Sequence, residues 1–220
     1  MEETLLKCPN CGEYKAHEYS FKLLLCDKCG IVSKPKPVRL HLACGDRRLP
    51  GYWNIDIDES MHLQGFSDEV GDITCLWQFA DNSIEAIYSC HCLDHLSRNG
   101  EMDKALSEWY RVLKPGGVLR VAVSDFEKVV KMYNEGLDLE RLWGHIVGGH
   151  KSKYDKHGCV FDFDTLRRYL EKHGFKNVKR YRWQDFLPKD FDDFSQAYIP
   201  HMDKKEGILM SLNVQCKKPL

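Results

Sequence analysis

From residue 38 onward, short apolar runs bounded by turn residues alternate with stretches of helical period. The apolar or β-branched runs predict strands near 38–43, 53–57, 69–73, 84–89 and 118–123. Between them the period lengthens. Met102, Ala105, Leu106, Trp109, Val112 and Leu113 form one stripe of a helix over 101–113, which Lys114-Pro115-Gly116-Gly117 should end sharply. Further helices are predicted over 125–134 and 164–173, the last stopped by Gly174. Residues 175–183 and 207–217 read as two closing strands, paired antiparallel. Such alternation implies an α/β fold: a parallel sheet with crossovers. Only about ten residues join the first two strands, near the minimum for a parallel crossover, so the helix expected there is very short or missing.

Ahead of residue 38 the pattern changes, and cysteine replaces the apolar run as the organising feature. Cys8-Pro9-Asn10-Cys11-Gly12 and Cys26-Asp27-Lys28-Cys29-Gly30 are two Cys-x-x-Cys-Gly knuckles, separated by fourteen residues. That spacing suits a tetrahedral zinc held by Cys8, Cys11, Cys26 and Cys29; a redox pair would not normally be duplicated in this way. The glycine after each knuckle tolerates the positive φ such a turn needs. Residues 19–25 read as a strand entering the second knuckle, which gives a zinc ribbon over 1–34. Lys34-Pro35-Lys36-Pro37 supplies a stiff extended linker over 35–37, and the main domain occupies 38–220. A ribbon this small depends on its metal for most of its folding free energy, on the order of 10 kcal/mol.

Composition narrows the class. With 220 residues, 43% hydrophobic and 30% charged, the chain has material for one sizeable core and an appendage, and disorder is excluded. The start Met1-Glu2-Glu3-Thr4 is acidic, and nowhere do some 18 apolar residues run together, so neither a secretory signal nor a membrane span is expected. A cytoplasmic protein with reduced thiols follows, despite ten cysteines. Cys44, Cys75, Cys90, Cys92, Cys159 and Cys216 read as small buried side chains, with Cys90 and Cys92 near an expected pocket. The net charge is −1. Residues 1–39 carry seven Lys or Arg against five Asp or Glu, which four zinc-bound thiolates bring to about zero. Extended nucleic-acid contact is therefore disfavoured, although Lys176, Lys179, Arg180 and Arg182 could make a local basic strip.

The most informative segment is Arg39-Leu40-His41-Leu42-Ala43-Cys44-Gly45-Asp46, with Asp56 eleven residues after Gly45. An apolar strand stopping at a glycine turn lets backbone approach a ligand, and an acidic residue closing the next strand can accept both hydroxyls of a ribose. The alternative is that Asp58 faces the site instead. In order along the chain come Asp72-Ile73, then Phe79-Ala80-Asp81-Asn82-Ser83-Ile84-Glu85-Ala86-Ile87-Tyr88-Ser89, then His91 to His95, then Trp109-Tyr110-Arg111-Val112-Leu113-Lys114-Pro115-Gly116-Gly117.

Together these parts resemble the class I S-adenosylmethionine-dependent methyltransferases, particularly the compact branch related to the type 11 domain, over residues 38 to about 217. The resemblance implies a Rossmann-like sheet with a reversed last strand and a cofactor across the carboxyl ends of the first strands. It implies that the backbone of Ala43, Cys44 and Gly45 passes under the methionine and ribose and that Asp56 takes the ribose hydroxyls. Asp72 would accept from the adenine amino group while Ile73 approaches the ring, and Ser89 and His91 would line the methyl side. One departure is the glycine loop, reduced to Gly45 and followed by Asp46, Arg47 and Arg48. The ribbon or the 144–160 loop could cover the side this leaves open.

Methyl transfer needs alignment and a group to receive the nucleophile's proton. Candidate bases are His91 and His95, four residues apart and on one face if a helix starts there, with Asp94 beside them. Asp125 is placed either to meet substrate or to cap the next helix. Residues 143–158, rich in Gly, His and aromatics, read as a substrate loop or lid. A metal on His145, His150 and His157 is set aside, because no carboxylate or Cys falls at a suitable spacing. The leading expectation is methyl transfer to an O, N or C nucleophile of a small molecule or sugar, with the ribbon open to a protein partner. The alternatives are an RNA- or DNA-directed methyltransferase and a non-catalytic zinc-ribbon scaffold.

Overall fold

A computed structural model describes residues 6–8, 11–20, 23–33, 38–201 and 203–220. The chain divides into two compact units, Met1–Pro37 and Val38–Leu220. The segment read as a linker lies outside the described residues.

In the first unit β1 (Leu6–Lys7), β2 (Tyr14–Ser20), β3 (Leu23–Cys26) and β4 (Gly30–Ser33) form an antiparallel sheet in sequence order. The single strand expected over 19–25 is instead the junction of β2 and β3, which pair antiparallel with Ser20 opposite Leu23. Alternation cannot reveal a chain reversal within one apolar stretch. The knuckle glycines do adopt left-handed backbone, Gly12 at φ +76° and Gly30 at φ +74°. The Gly12 N–H closes the first knuckle by donating to the Cys8 carbonyl at 2.9 Å.

The second unit begins with β5 (Arg39–Leu42), β6 (Trp53–Asp56), α1 (Glu59–Leu63), β7 (Glu69–Val70) and β8 (Ile84–Cys90). It continues with α2 (Glu101–Val112), β9 (Leu113–Ser124), α3 (Phe126–Asn134), α4 (Trp143–Val147), α5 (Phe163–Lys172) and β10 (Lys176–Arg180). A two-stranded ribbon of β11 (Tyr198–Ile199) and β12 (Ile208–Leu209) precedes β13 (Ser211–Lys217). The main sheet runs β10-β13-β9-β8-β5-β6-β7. β5 to β9 are parallel, and β13 runs antiparallel between β9 and β10, so the fold is Rossmann-like with a reversed last strand.

Two expectations about element limits change. The run over 207–217 divides into β12, which leaves the sheet to pair with β11, and β13, which joins it. β9 starts at Leu113 rather than 118; a register shift between Ile84 and Ala86 on β8 absorbs the Pro-Gly-Gly segment. As expected, no helix fills the crossover from β5 to β6.

The core lies where apolar periodicity predicts it. Met102, Ala105, Leu106, Trp109 and Val112 turn one face of α2 onto the sheet, joined by Leu40, Leu42, Ile55, Ile84, Ile87, Leu119 and Val121. The Trp109 indole N–H, buried with the ring, donates to the Ile73 carbonyl at 3.0 Å and ties α2 to the segment after β7. Strand order reverses between β5 and β8, and a crevice at the carboxyl ends of strands is the usual consequence of such a switch. Among the described residues no helix is long and apolar enough to cross a membrane.

Candidate functional site

A cleft of about 520 Å³ opens at that switch point, lined from β5 by Ala43 and Gly45, from β6 by Asp56, and beyond β7 by Asp72 and Ile73. Its far wall carries His91, Cys92 and His95 and the loop residues 152–156. Leaving β5, the backbone turns through left-handed φ at Ala43 and Gly45, both +53°. A Cβ built on Gly45 meets nothing within 4 Å, so the turn stands beside open space. Cys44 between them is buried, its N–H donating to the Ile55 carbonyl at 3.1 Å, and burial pushes its thiol up to about 12. It does not line the cleft, unlike Ala43 and Gly45 on either side.

Asp56 ends β6 with 8% of its surface exposed, and the whole of that exposure decides what it can bind. One carboxylate oxygen accepts from the Gly45 N–H at 2.7 Å and the other from the Asp58 N–H at 2.9 Å. Each oxygen keeps a second lone pair for a ligand hydroxyl. Asp58 also borders the cleft but is committed to capping α1, accepting from the Ser60 N–H at 2.9 Å. Asp72 is exposed and accepts from the Thr74 N–H at 2.8 Å through one oxygen, which leaves the other facing the cleft.

Ser89 does not line this cleft. β8 is buried on both faces from Ile87 to Ser89, as a central parallel strand should be, and the Ser89 hydroxyl sits inside beside the Cys92 thiol. The chain surfaces only two residues later, at His91, where φ is +47°. The expected helix carrying His91 and His95 on one face is also replaced: a single 3-10 turn spans Leu93–His95 and the next α-helix waits until Glu101.

The histidines nevertheless converge, around Asp94. Asp94 is 1% exposed, and one of its oxygens accepts from the Ser124 N–H at 3.2 Å. That oxygen lies 3.7 Å from His91 Nδ1 and 3.8 Å from His157 Nε2. The His95 ring meets the His157 ring edge-on at 4.7 Å. Tautomers follow from the partners. Ser211 Oγ donates to Asn213 Oδ1 at 3.0 Å, so it accepts from the Nε2–H of His91 at 3.1 Å. His95 Nδ1–H donates to the Tyr154 carbonyl at 2.9 Å. Burial lowers the pKa of His91 and of His157, partly offset by Asp94, and with its histidine neighbours brings His145 down to about 4.

His157 was the residue not singled out for this cluster, since its partners stand some sixty positions upstream. It arrives on the loop after α4, whose Gly158 and Cys159 N–H groups donate to the Asp94 carbonyl at 2.7 and 3.2 Å. Residues 143–147 of the expected loop are helical, and the irregular segment begins at Gly148. His145 and His157 are neighbours, but His150 stands apart and donates to the Val147 carbonyl at 2.9 Å, so the three do not form one ligand set. Asp125 is a cap, accepting from the Glu127 N–H and from Arg180 at 3.1 Å each, which also removes Arg180 from the basic strip.

A second cavity, of about 620 Å³, is lined by Arg47, Arg141, His145, Phe194, Tyr198 and His201 among others. Its Phe194 packs against the His91 ring at 5.8 Å, so His91 stands between the cavity and the cleft.

In the first unit, Cys8, Cys11, Cys26 and Cys29 place all four sulfur atoms within 4.8 Å of one another. Cys11 Sγ and Cys26 Sγ are 3.9 Å apart. Thiolates around a tetrahedral zinc stand about 3.8 Å apart, so the donor set fits that ion.

Comparison with known proteins bears on the second unit. The model of a methyltransferase domain, type 11, matches residues 40–121. A probable methyltransferase of Aspergillus luteorubrus is 35% identical over 78 residues, which are 35% of this chain and 26% of that protein, so the chain spans about a quarter of its relative. Among solved structures, a methyltransferase dependent on S-adenosylmethionine from Thermotoga maritima superposes with a TM-score of 0.52 at 18% identity, covering 84% of each chain. Another from Archaeoglobus fulgidus gives 0.51 at 17% identity, covering 82% of this chain and 85% of the other. At these identities the likeness is one of fold: the second unit has the class I methyltransferase architecture.

Proposed function

We propose that the Val38–Leu220 unit is an S-adenosylmethionine-dependent methyltransferase acting on an O, N or C nucleophile of a small molecule or sugar, and that Cys8, Cys11, Cys26 and Cys29 hold a structural zinc. The observation that carries the first part is Asp56: a nearly buried carboxylate, fixed by two backbone N–H groups, with acceptor capacity left only toward a cleft at the strand switch point. The match over residues 40–121 supports it.

In this reading the backbone of Ala43, Cys44 and Gly45 passes under the ribose and methionine, and Asp56 accepts from the ribose hydroxyls. Asp72 accepts from the adenine amino group, and Ile73 covers the ring. The cofactor supplies an activated methyl group on a sulfonium. The chain's task is alignment: the loop residues 152–156 close the cleft opposite Asp56 and restrict the approach to the side of His91 and His95. Those two histidines are the groups placed to receive a proton from an O or N acceptor. The cavity beyond Phe194 suits that acceptor, since its volume matches small ligands and its lining offers hydroxyl groups both donors, from Arg47, Arg141 and His201, and acceptors, from Asp192 and Asp193.

Calorimetry with S-adenosylmethionine and S-adenosylhomocysteine on zinc-replete full-length protein tests the proposal. Micromolar binding, weakened at least tenfold by Asp56→Ala, is the expected result. A folded, zinc-loaded wild type that binds neither ligand overturns it.

A further inference from the structure

We propose that Asp94, His95 and His157 form a divalent-metal site in the wall of the cleft, separate from the four-cysteine site and selective for zinc or another borderline cation. The three residues each offer one donor atom, all within 4.8 Å of one another. Donors around a four-coordinate zinc at 2.0–2.1 Å stand about 3.3 Å apart, so small side-chain rotations close the site.

Two features point to a cation rather than to a chance gathering. First, Asp94 is 1% exposed, yet its Oδ1 has no hydrogen-bond partner among the described residues, and its Oδ2, 3.8 Å from His157 Nε2, accepts from the Ser124 N–H at 3.2 Å. A buried carboxylate oxygen left unmatched is costly, and the surrounding structure offers it no N–H. Second, two imidazole lone pairs are left free in this cluster. Because His91 donates through Nε2 to Ser211, its Nδ1 lone pair is turned toward the Asp94 carboxylate, 3.7 Å away. Because His95 donates through Nδ1 to the Tyr154 carbonyl, its Nε2 lone pair is open. That carbonyl is also the kind of outer partner that fixes the tautomer of a metal-bound histidine.

Two imidazoles and one carboxylate select zinc, iron, cobalt, nickel or copper over magnesium or calcium. Three protein ligands leave a coordination position vacant, and His95 places that position on the cleft side, since it lines the cleft while Asp94 does not. With the ion bound, His95 is a ligand and its Nε2 lone pair is no longer free to accept a proton from a methyl acceptor. That last step rests on the methyltransferase reading; the metal site itself does not.

Cobalt titration of the full-length apoprotein tests the site. Cobalt in the four-cysteine site gives intense thiolate charge-transfer bands, and cobalt on nitrogen and oxygen gives only weak ligand-field bands. The expected result is two equivalents, one of each spectral kind. His95→Ala and His157→Gln should each weaken the second equivalent at least tenfold and leave the thiolate bands intact, while Cys8→Ser with Cys11→Ser should do the reverse. Circular dichroism of each variant checks folding, and His95, being partly exposed, is the safer of the two substitutions. A single thiolate-bound equivalent in the wild type overturns the site, as does a second equivalent that both histidine variants leave unchanged. Binding of S-adenosylhomocysteine to the same samples reports on the cofactor reading separately.

Discussion

A carboxylate that two backbone N–H groups already hold is aimed before any ligand arrives. Asp56 accepts from Gly45 and Asp58, so its remaining lone pairs have one direction left. Hydrogen bonds to a charged acceptor contribute about 1.5–3 kcal/mol each. Asp56→Ala should therefore lower cofactor affinity by at least tenfold, and Asp56→Asn should not rescue it, because an amide nitrogen would face the N–H of Gly45 or Asp58. Calorimetry on both variants checks this. His41 makes a second prediction at the same scale. It is 1% exposed, its Nδ1–H donates to Asn54 Oδ1 at 2.9 Å, and burial brings it down to about 4 from 6.5. Its folded pKa is thus below the unfolded one. The stability this neutral side chain permits is complete above about pH 6.5 and is lost as pH falls toward 4, on the order of 3 kcal/mol in all. His91, His145 and His157 act in the same direction. Urea unfolding of wild type and His41→Gln from pH 7 to 4.5 should show a shallower loss in the variant; parallel curves would refute the assignment.

Between residue and fold, the elements differ in how far sequence reveals them. The α2 stripe was legible because burial and helical period coincide, and the α3 and α5 boundaries because Asp125 and Asp162 cap them through Glu127 and Thr165 N–H groups at 3.1 and 2.7 Å. The reversal between β2 and β3 and the split between β12 and β13 were not, since each divides one apolar run. Nor was the wall of the cleft. Its shape comes from contacts between the 148–158 loop and the Leu93–His95 turn, which no local pattern encodes. Gly158 sits where those two segments meet: a Cβ there would lie 2.6 Å from the Leu96 carbonyl oxygen, a backbone atom that cannot step aside. Gly158→Ala should thus displace the loop from Asp94 and Leu96 and weaken cofactor binding several-fold. It should also move the unfolding midpoint down by a few degrees, corresponding to about 1–2 kcal/mol. Asp162→Ala is the contrasting case, an N-cap loss of about 1 kcal/mol seen in urea unfolding with cofactor affinity unchanged.

At the scale of the whole chain, strand and helix alternation was enough to anticipate a parallel sheet with crossovers, and the resemblance to class I methyltransferases implied its reversed last strand and the crevice. What it could not anticipate was which polar groups meet: Asp94 and His157 become neighbours only because β9, the 3-10 turn and the late loop share one end of the sheet. The four cysteines are the opposite case, a site legible from spacing alone, because the whole geometry is local to two short turns. This contrast carries over to stability. In the first unit Cys8 and Cys26 are buried with Cys11 and Cys29 packed against them, so the four thiols form one cluster around which a metal could close the sheet. The second unit has a continuous core, from Leu40 on β5 through Trp109 on α2 to Cys216 on β13. Metal binding is folding free energy in a unit of the first kind and a minor term in the second. Cys8→Ser with Cys26→Ser should therefore make residues 1–37 susceptible to limited proteolysis, while thermal unfolding of the remaining chain stays cooperative with its midpoint within a few degrees of wild type. A collapse of both transitions together would mean that the two units share stability, and the metal proposed for the four cysteines would then act on the second unit as well as the first.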